Sequence, residues 1–184
     1  MPWIFYFLLL FSVEQALRAE VNSTNPEHIS HGTAKFGEEQ IENIHANGSV
    51  ILDGTLVLKL LKVHGHLEAY EADIHNLKLY GEGHLKKTVV QVKARVNGDL
   101  KAEESHFKNG IAASAGHITL SNCTSGPIDF QQPDHVQGPQ QITLINGTIV
   151  NSTIIFEHGK VEISMDSSSK VLGEIVGEYT LKKL

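Results

Sequence analysis

Several features are scarce in this 184-residue chain, and most of them exclude a class of protein. The single cysteine, Cys123, excludes an internal disulfide framework and zinc sites built on two or four cysteines. No run of Lys and Arg exceeds two residues and the formal net charge is −6, so a basic nucleic-acid-binding surface is not expected. Aromatic residues make up only 7% of the chain. No stretch reaches about 18 apolar residues, so no transmembrane helix is expected either.

The first 19 residues are organised like a secretory signal peptide. Residues 3–13 form a short run that is apolar except for Ser12, and Glu14 ends it. A helix of this length would rise about 16 Å, roughly half the thickness of a bilayer core. Ala19 is a suitable small residue before a cleavage site. We expect export to the periplasm, the outer envelope or the extracellular space; an uncleaved anchor or a buried N-terminal helix is the alternative.

The remainder of the sequence predicts one domain behind a polar leader. Residues 20–43 contain Asn25-Pro26 and Gly32 but few apolar positions, so we expect them to be flexible. The folded domain is expected over residues 44–180, with residues 181–184 as a tail.

Glycines recur along this domain in a regular register. The first five register glycines are 17, 18, 15 and 18 residues apart, and each is followed two places later by Val, Leu or Ile. Repetition at a fixed period of this length is typical of repeat architectures. Glycine accepts the positive φ that a tight corner requires. The predicted turn-register residues are Gly48, Gly65, Gly83, Gly98, Gly116, Gly147, Gly159 and Gly173.

Between these glycines, apolar and polar residues alternate with period two, which indicates β-strands. The segment Val90–Val96 is the clearest example. A unit of about 17 residues holds three short strands and their corners, which is one coil of a parallel β-solenoid. The sequence therefore predicts an all-β, single-stranded parallel β-helix, expected to be right-handed, of about seven to eight coils; the alternative is an antiparallel β-sandwich. The expected core residues are Leu67, Leu77, Leu79, Leu85, Val90, Val92, Val96, Leu100, Ile118, Ile142, Leu144, Val161 and Ile163.

Two strings of the repeat resemble bacterial solenoid families. Val96-Asn97-Gly98-Asp99-Leu100-Lys101-Ala102-Glu103 resembles the Gly-Asp-aliphatic turns of the bactofilin family. The string from Ala72 to Gly83 ends in Gly-Glu-Gly and is similar to the Gly-x-Gly turns of an exported putative adhesin head-domain family. The likeness covers about Asn47–Asn122. Bactofilins are cytoplasmic, so the leader peptide favours the second family, and neither resemblance implies a catalytic residue.

Histidine is abundant, with 11 residues, and three histidines share one predicted register slot. His66, His84 and His117 each follow a register glycine, and Asp99 occupies the same slot between His84 and His117. Equivalent positions on successive coils lie about 4.8 Å apart. Imidazoles and a carboxylate at that spacing are suitable ligands for a transition metal, so these four residues form a candidate metal site or, alternatively, a solvated ladder.

The sequence contains no recognisable catalytic motif. The serine-hydrolase elbow, the zinc-protease helix motif and the phosphate-binding glycine loop are all missing. We therefore expect a non-enzyme without a cofactor: a structural or surface-interaction protein of the bacterial envelope, adhesin-like or scaffold-like. Its partners are expected to be further copies of itself or an envelope ligand, and not a nucleic acid. The alternatives are a small carbohydrate-acting enzyme and a metal-binding envelope protein.

Overall fold

The computed structural model describes residues 27–131 and 140–184, so the predicted signal peptide lies outside the described residues. Within these ranges the protein is all-β, and parallel strands stack into a β-solenoid of about eight turns repeating every 17 residues or so. Every pairing between the described strands is parallel, which excludes the antiparallel sandwich. Nothing in this part of the chain forms a helix suited to crossing a membrane.

The early coils contain long strands, whereas the later coils are divided into short ones. Strand β5 pairs with β6, β7 and β8, because each of these covers a different part of its length. The strands are β1 His28–Phe36, β2 Gln40–Asp53, β3 Leu56–Tyr70, β4 Asp73–Lys86, β5 Val89–Glu103, β6 His106–Phe107, β7 Ile111–Ala115, β8 His117–Ser121, β9 Thr124–Ser125, β10 Ile128–Phe130, β11 Gln140–Ile145, β12 Ile149–Val150, β13 Ile154–Met165, β14 Lys170–Val171 and β15 Ile175–Lys183.

The solenoid begins earlier than the sequence analysis expected. Strand β1 and the start of β2 lie in the segment that was predicted to be a flexible leader. In β1 only Ala34 and Phe36 are buried, and Ile29 is exposed. The first coil therefore lacks the apolar alternation that marks the others. At the other end, β15 continues to Lys183, so most of the predicted tail belongs to the last coil.

The interior is filled by columns of apolar side chains, one from each coil. One column contains Val50, Leu67, Leu100 and Ile118, all of which are buried. The predicted core is confirmed except at Val92, which is half-buried. The pairing of β4 with β5 shifts by one residue between Val90 and Lys93. The extra residue in β5 interrupts the alternation there and takes Val92 out of the core.

A column of glycines, here called the glycine corner, separates two segments of each coil. Each of its members, from Gly48 onwards, has positive φ, between +88° and +138°, and an added Cβ would collide with the carbonyl oxygen of the glycine one coil earlier. Only glycine permits this close approach of one backbone to the next. The glycine corner consists of Gly48, Gly65, Gly81, Gly98 and Gly116.

Gly83 was wrongly assigned to this column. Gly65 pairs with Gly81, whereas Gly83 pairs with the inward-pointing Leu67 and Leu100. The side chains of Leu79 and Leu100 approach the position that a Cβ of Gly83 would take. The chain has glycine where the other coils have an aliphatic core residue, and neighbouring leucines fill the space.

Two of the later register glycines, Gly147 and Gly173, lie at other corners. Gly147 has positive φ and donates its N–H to the Ser168 hydroxyl at 2.8 Å. Gly173 lies against the backbone of Ser152, too close for a Cβ. Gly159 lies within β13. Gly147 and Gly173 therefore keep the spacing of the sequence repeat but lie outside the glycine corner.

A second corner is held by buried polar side chains and is here called the ladder corner. The backbone N–H of each of its first four residues donates to the side-chain oxygen or sulfur of the equivalent residue on a following coil, at 3.1–3.4 Å. These side chains are at most 5% exposed, so each bond satisfies a group that water cannot reach. The ladder corner consists of Thr88, Ser105, Cys123, Thr148 and Ser169.

Candidate functional site

The glycine corner divides the outer surface into two faces with different charge patterns. The first face contains the outward residues of the segment that precedes each corner glycine, such as Lys62 and His64. The second face contains those that follow it, such as His66 and Glu68. Because coils stack in register, each face presents columns of side chains about 4.8 Å apart along the solenoid axis.

The second face holds the four residues predicted as metal ligands, but it places them in two columns. His66 pairs with Glu82, and Glu82 with Asp99. The Asp99 carboxylate then accepts a hydrogen bond from the backbone N–H of His117 at 2.7 Å, so His117 continues this column. His84 instead pairs with Glu68 and Lys101. The expected single slot was wrong for His84, for the same reason that Gly83 was misassigned.

Carboxylates lie between the histidines of the second face. Glu82 Oε1 is 3.0 Å from His84 Nε2, and its other carboxylate oxygen is 3.6 Å from His66 Nδ1. Glu68 Oε1 lies 3.1 Å from His66 Nε2. The His66 and His84 rings meet edge to face with their centroids 5.5 Å apart. Both ring nitrogens of His66 therefore face carboxylates of the second face.

The second histidine–carboxylate contact is separate from this group. His117 Nδ1 lies 3.1 Å from Asp99 Oδ1, and both side chains are more than half exposed. Within residues 27–131 and 140–184, no set of three or more His, Cys, Asp or Glu side chains is arranged to hold a metal ion. The structure thus brings together His66 and His84 through Glu82, and separately Asp99 and His117, as histidine–carboxylate contacts on an exposed surface.

A cavity of about 450 Å³ opens on the second face beside these pairs. Its lining includes Leu52, Ala69 and Leu85, which belong to the core. Lys101 and Lys86 both lie within 4 Å of Glu103 on its wall, so positive and negative charges alternate around the cavity. Its lining includes Asp53, Glu68, Tyr70, His84, Lys86, Lys101 and Glu103.

At the rim of this cavity, Tyr70 belongs to a small charged network. Lys87 donates to the Tyr70 hydroxyl oxygen at 3.3 Å and to Glu71 at 3.2 Å. Hydrogen bonds from Tyr70 and Lys87 hold the pKa of Glu71 below its ordinary value, and the bond with Glu71 raises the pKa of Lys87. The network keeps both groups charged over a wide pH range, which suits a structural ion pair better than proton transfer.

The first face carries a row of cations that sequence reasoning missed. Lys62 pairs with Lys78, and Lys78 pairs with Arg95, so the three residues form one straight column, here called the cation row. Within the described residues, none of the three has a carboxylate partner within 4 Å. Lys59 and Lys93 nearby are paired with Glu42 and Asp129, respectively. The only sequence signal was the spacing of Lys62, Lys78 and Arg95, which places them in one column only when the register of neighbouring coils is known.

Beside the cation row runs a column of amide and aromatic residues. Asn47 pairs with His64, His64 with Tyr80, and Tyr80 with Asn97. The rings of His64 and Tyr80 stack with centroids 4.4 Å apart and planes 3° from parallel. Because the rings stack on each other, the faces between them are not free for a ligand. The column can offer amide and hydroxyl groups as hydrogen-bonding partners.

Cys123 takes part in neither face. It is 1% exposed in the ladder corner, where its thiol accepts from the Ser105 N–H and contacts the carbonyl of Ser121 at 3.2 Å. Burial raises the pKa of this thiol, which disfavours the reactive thiolate. A structural role for Cys123 follows from its position.

Comparisons with known proteins give no relative from which a role could be transferred: no protein-family model, curated protein or solved structure matches this chain.

Proposed function

We propose that this chain is an exported, non-catalytic surface-interaction protein of the bacterial envelope. The observation that carries the proposal is the cation row on the first face. Its three stacked positive charges have no carboxylate partner among residues 27–131 and 140–184, in a protein of net charge −6. Unpaired charges of one sign on a straight face suit recognition of an opposite charge in a partner. Export rests on the leader peptide, and the adhesin-like role rests on the resemblance of the repeat.

The charge distribution of the second face also favours the first face as the interaction surface. Its histidines and lysines lie beside carboxylates of the same face, as in the contacts of Glu82 and Glu103. Paired, exposed charges of this kind contribute little to stability and leave little net field for a ligand. We therefore place the interaction surface on the first face.

A carbohydrate-acting enzyme is the second candidate, and the cavity of about 450 Å³ on the second face favours it. Glu68 and Glu103 both line this cavity, and a pair of carboxylates is the usual machinery for glycoside hydrolysis. Against this, Glu103 is shared by two lysines and Glu68 lies beside His66. Both carboxylates are also more than a third exposed, whereas the general acid of a glycoside hydrolase lies in an apolar pocket.

One experiment separates these candidates. The mature protein is incubated with isolated bacterial envelope fragments and sedimented, and the same preparation is assayed for release of reducing sugars. We expect co-sedimentation without sugar release, and weaker co-sedimentation when Lys62, Lys78 and Arg95 are changed to Gln. Release of sugar that disappears in Glu68→Gln or Glu103→Gln would refute the non-catalytic function. Failure to co-sediment with any envelope fraction would refute the interaction role.

A further inference from the structure

The cation row is straight, short and fixed in direction by the strands that carry it. Lys62, Lys78 and Arg95 lie on three successive coils, so their backbone positions span about 10 Å parallel to the solenoid axis. The two lysines are half-buried and Arg95 is exposed. Partial burial restricts the lysine side chains and lowers the entropy lost when a ligand binds them.

His45 extends the row by one coil at its N-terminal end. It pairs with Lys62, and its Nδ1 lies 3.8 Å from Glu27. At the other end Arg95 pairs with Ala112, so the row of large side chains stops there. A negatively charged partner would therefore extend along the axis and not around the coil.

A depression follows directly where the row stops. It has a volume of about 250 Å³, and Arg95 and Tyr80 form part of one wall. Its floor is low because the coil that follows Arg95 carries the small, half-buried residues Ala112 and Ser114. Asn97 and Gln131 also line it, which adds amide donors and acceptors to the Tyr80 hydroxyl. Lys93 and Asp129 line it as well, and their side chains are paired with each other at 3.3 Å.

We propose that the first face binds a linear acidic polysaccharide along the solenoid axis. Its carboxylates contact the cation row, and one sugar residue occupies the depression beside Arg95. This inference rests on the proposed function and adds the ligand class. Repeated carboxylates match the repeated cations, while the hydroxyl groups of the sugar match the amide and hydroxyl groups of Asn97, Gln131 and Tyr80.

The surroundings of the row favour a polysaccharide over the other polyanions. A nucleic acid gains much of its affinity from many phosphate contacts and from bases stacked on free aromatic faces. Here the cations are three, and His64 and Tyr80 stack on each other. A lipid bilayer requires apolar side chains beside the cations. The neighbouring column instead offers Asn47 and Asn97.

The test uses polygalacturonate as the probe and the mature full chain as the protein. Isothermal titration at low salt is expected to show binding that weakens as salt is added, because charge pairs on a surface are screened. A polygalacturonate sample with its carboxylates methyl-esterified is expected to bind at least about tenfold more weakly, since each surface ion pair contributes a modest factor and three are lost.

Two sets of variants connect the binding to the first face. The triple change Lys62→Gln, Lys78→Gln, Arg95→Gln is expected to weaken binding by at least about tenfold. The control Lys86→Gln, Lys101→Gln removes two cations from the second face and is expected to change the affinity by less than about twofold. Equal losses in both sets would mean that only overall charge matters and would overturn the proposed site.

A further variant, Ala112→Leu, tests the depression without changing any charge. Ala112 points outward and is half-buried, so a larger side chain there fills the depression without entering the core. We expect weaker binding of polygalacturonate with an unchanged salt dependence, and unaltered thermal unfolding as a check on the fold. Unchanged affinity would refute the placement of a sugar residue beside Arg95.

The same titrations distinguish failure of the ligand class from failure of the function. If anionic phospholipid vesicles or a single-stranded oligonucleotide bind more tightly than polygalacturonate through the cation row, the polysaccharide is the wrong ligand and the interaction role stands. If envelope fragments still bind through the row while polygalacturonate does not, the same conclusion follows. If no envelope fraction binds, the interaction role itself is refuted.

Discussion

The glycine corner makes the stability of the solenoid sensitive to a single methyl group at Gly65. A Cβ there would overlap the carbonyl oxygen of Gly48 and lie 3.0 Å from its carbonyl carbon, where ordinary contact begins at 3.4 Å. The φ of Gly65 is +136°, a conformation that L side chains rarely adopt. Gly65→Ala therefore adds backbone strain and forces two coils apart.

The two contributions can be estimated separately. The strained backbone costs about 1–3 kcal/mol. Moving the coils apart weakens the inter-coil hydrogen bonds on each side of the corner, and the loss of two such bonds costs about 2 kcal/mol. The total of about 3–5 kcal/mol is a large share of the stability of an ordinary domain, which is about 5–15 kcal/mol.

Two other glycines provide matched controls for Gly65→Ala. Gly32 has φ of +111° but nothing within 4 Å of its Cβ position among the described residues, so Gly32→Ala adds strain without collision. Gly37 has neither problem, and its replacement by Ala is expected to be neutral or to stabilise by up to about 1 kcal/mol. We expect the destabilisation to increase from Gly37 to Gly32 to Gly65.

Urea unfolding followed by far-ultraviolet circular dichroism measures the series. The midpoint of Gly65→Ala is expected to fall well below that of Gly32→Ala, which in turn lies below the wild type. If Gly65→Ala is no less stable than Gly32→Ala, the collision with Gly48 does not exist in solution. The close stacking at the glycine corner would then be refuted.

Two further predictions concern individual residues at the corners. Hydrogen bonds from Ser169 and from the Asn146 N–H lower the pKa of Asp166 to about 2. A lowered folded-state pKa stabilises the protein above the unfolded value of about 3.9. Asp166→Asn is thus expected to be less stable at pH 7, with the difference vanishing as the pH falls from about 4 to 2; a difference independent of pH in acid titrations of stability would contradict this. Glu104 has φ of +49°, which Asn tolerates better, so Glu104→Asn is expected to stabilise by up to about 1 kcal/mol in urea unfolding, whereas the same exchange at the ordinary strand residue Glu162 is expected not to.

Much of the fold could be predicted because two sequence patterns determine it, the alternation of apolar residues and the spacing of glycines. Alternating apolar residues fix which side chains point inward, and glycines with close contacts fix one corner. The prediction failed where a residue departs from its column: Gly83 occupies a core position, and Gly81 is the true corner residue. The first coil was missed because its inward residues include His28 and Ser30, which give no apolar signal.

The candidate site was less predictable, because function depends on which residues become neighbours. Because Gly83 was taken as the corner residue in place of Gly81, the predicted register was wrong by two residues. It therefore put His84 in the column of His66 and His117, where the structure has Glu82. The cation row, in contrast, was not predicted from the sequence at all. Its three residues lie 16 and 17 positions apart (78 − 62 and 95 − 78), and no local motif marks them.

Because successive coils superimpose, the solenoid can be lengthened by whole coils without a change in its core packing. Val63 and Leu79 occupy the same inward column, so an in-frame duplication of residues 64–79 would insert one complete coil and leave the cross-section unchanged. The inserted coil would bring one more glycine to the glycine corner and one more lysine to the cation row. If the cation row binds a polymer as proposed, each duplicated coil would add one contact. The number of repeats in the gene would then set the length of ligand that the surface prefers.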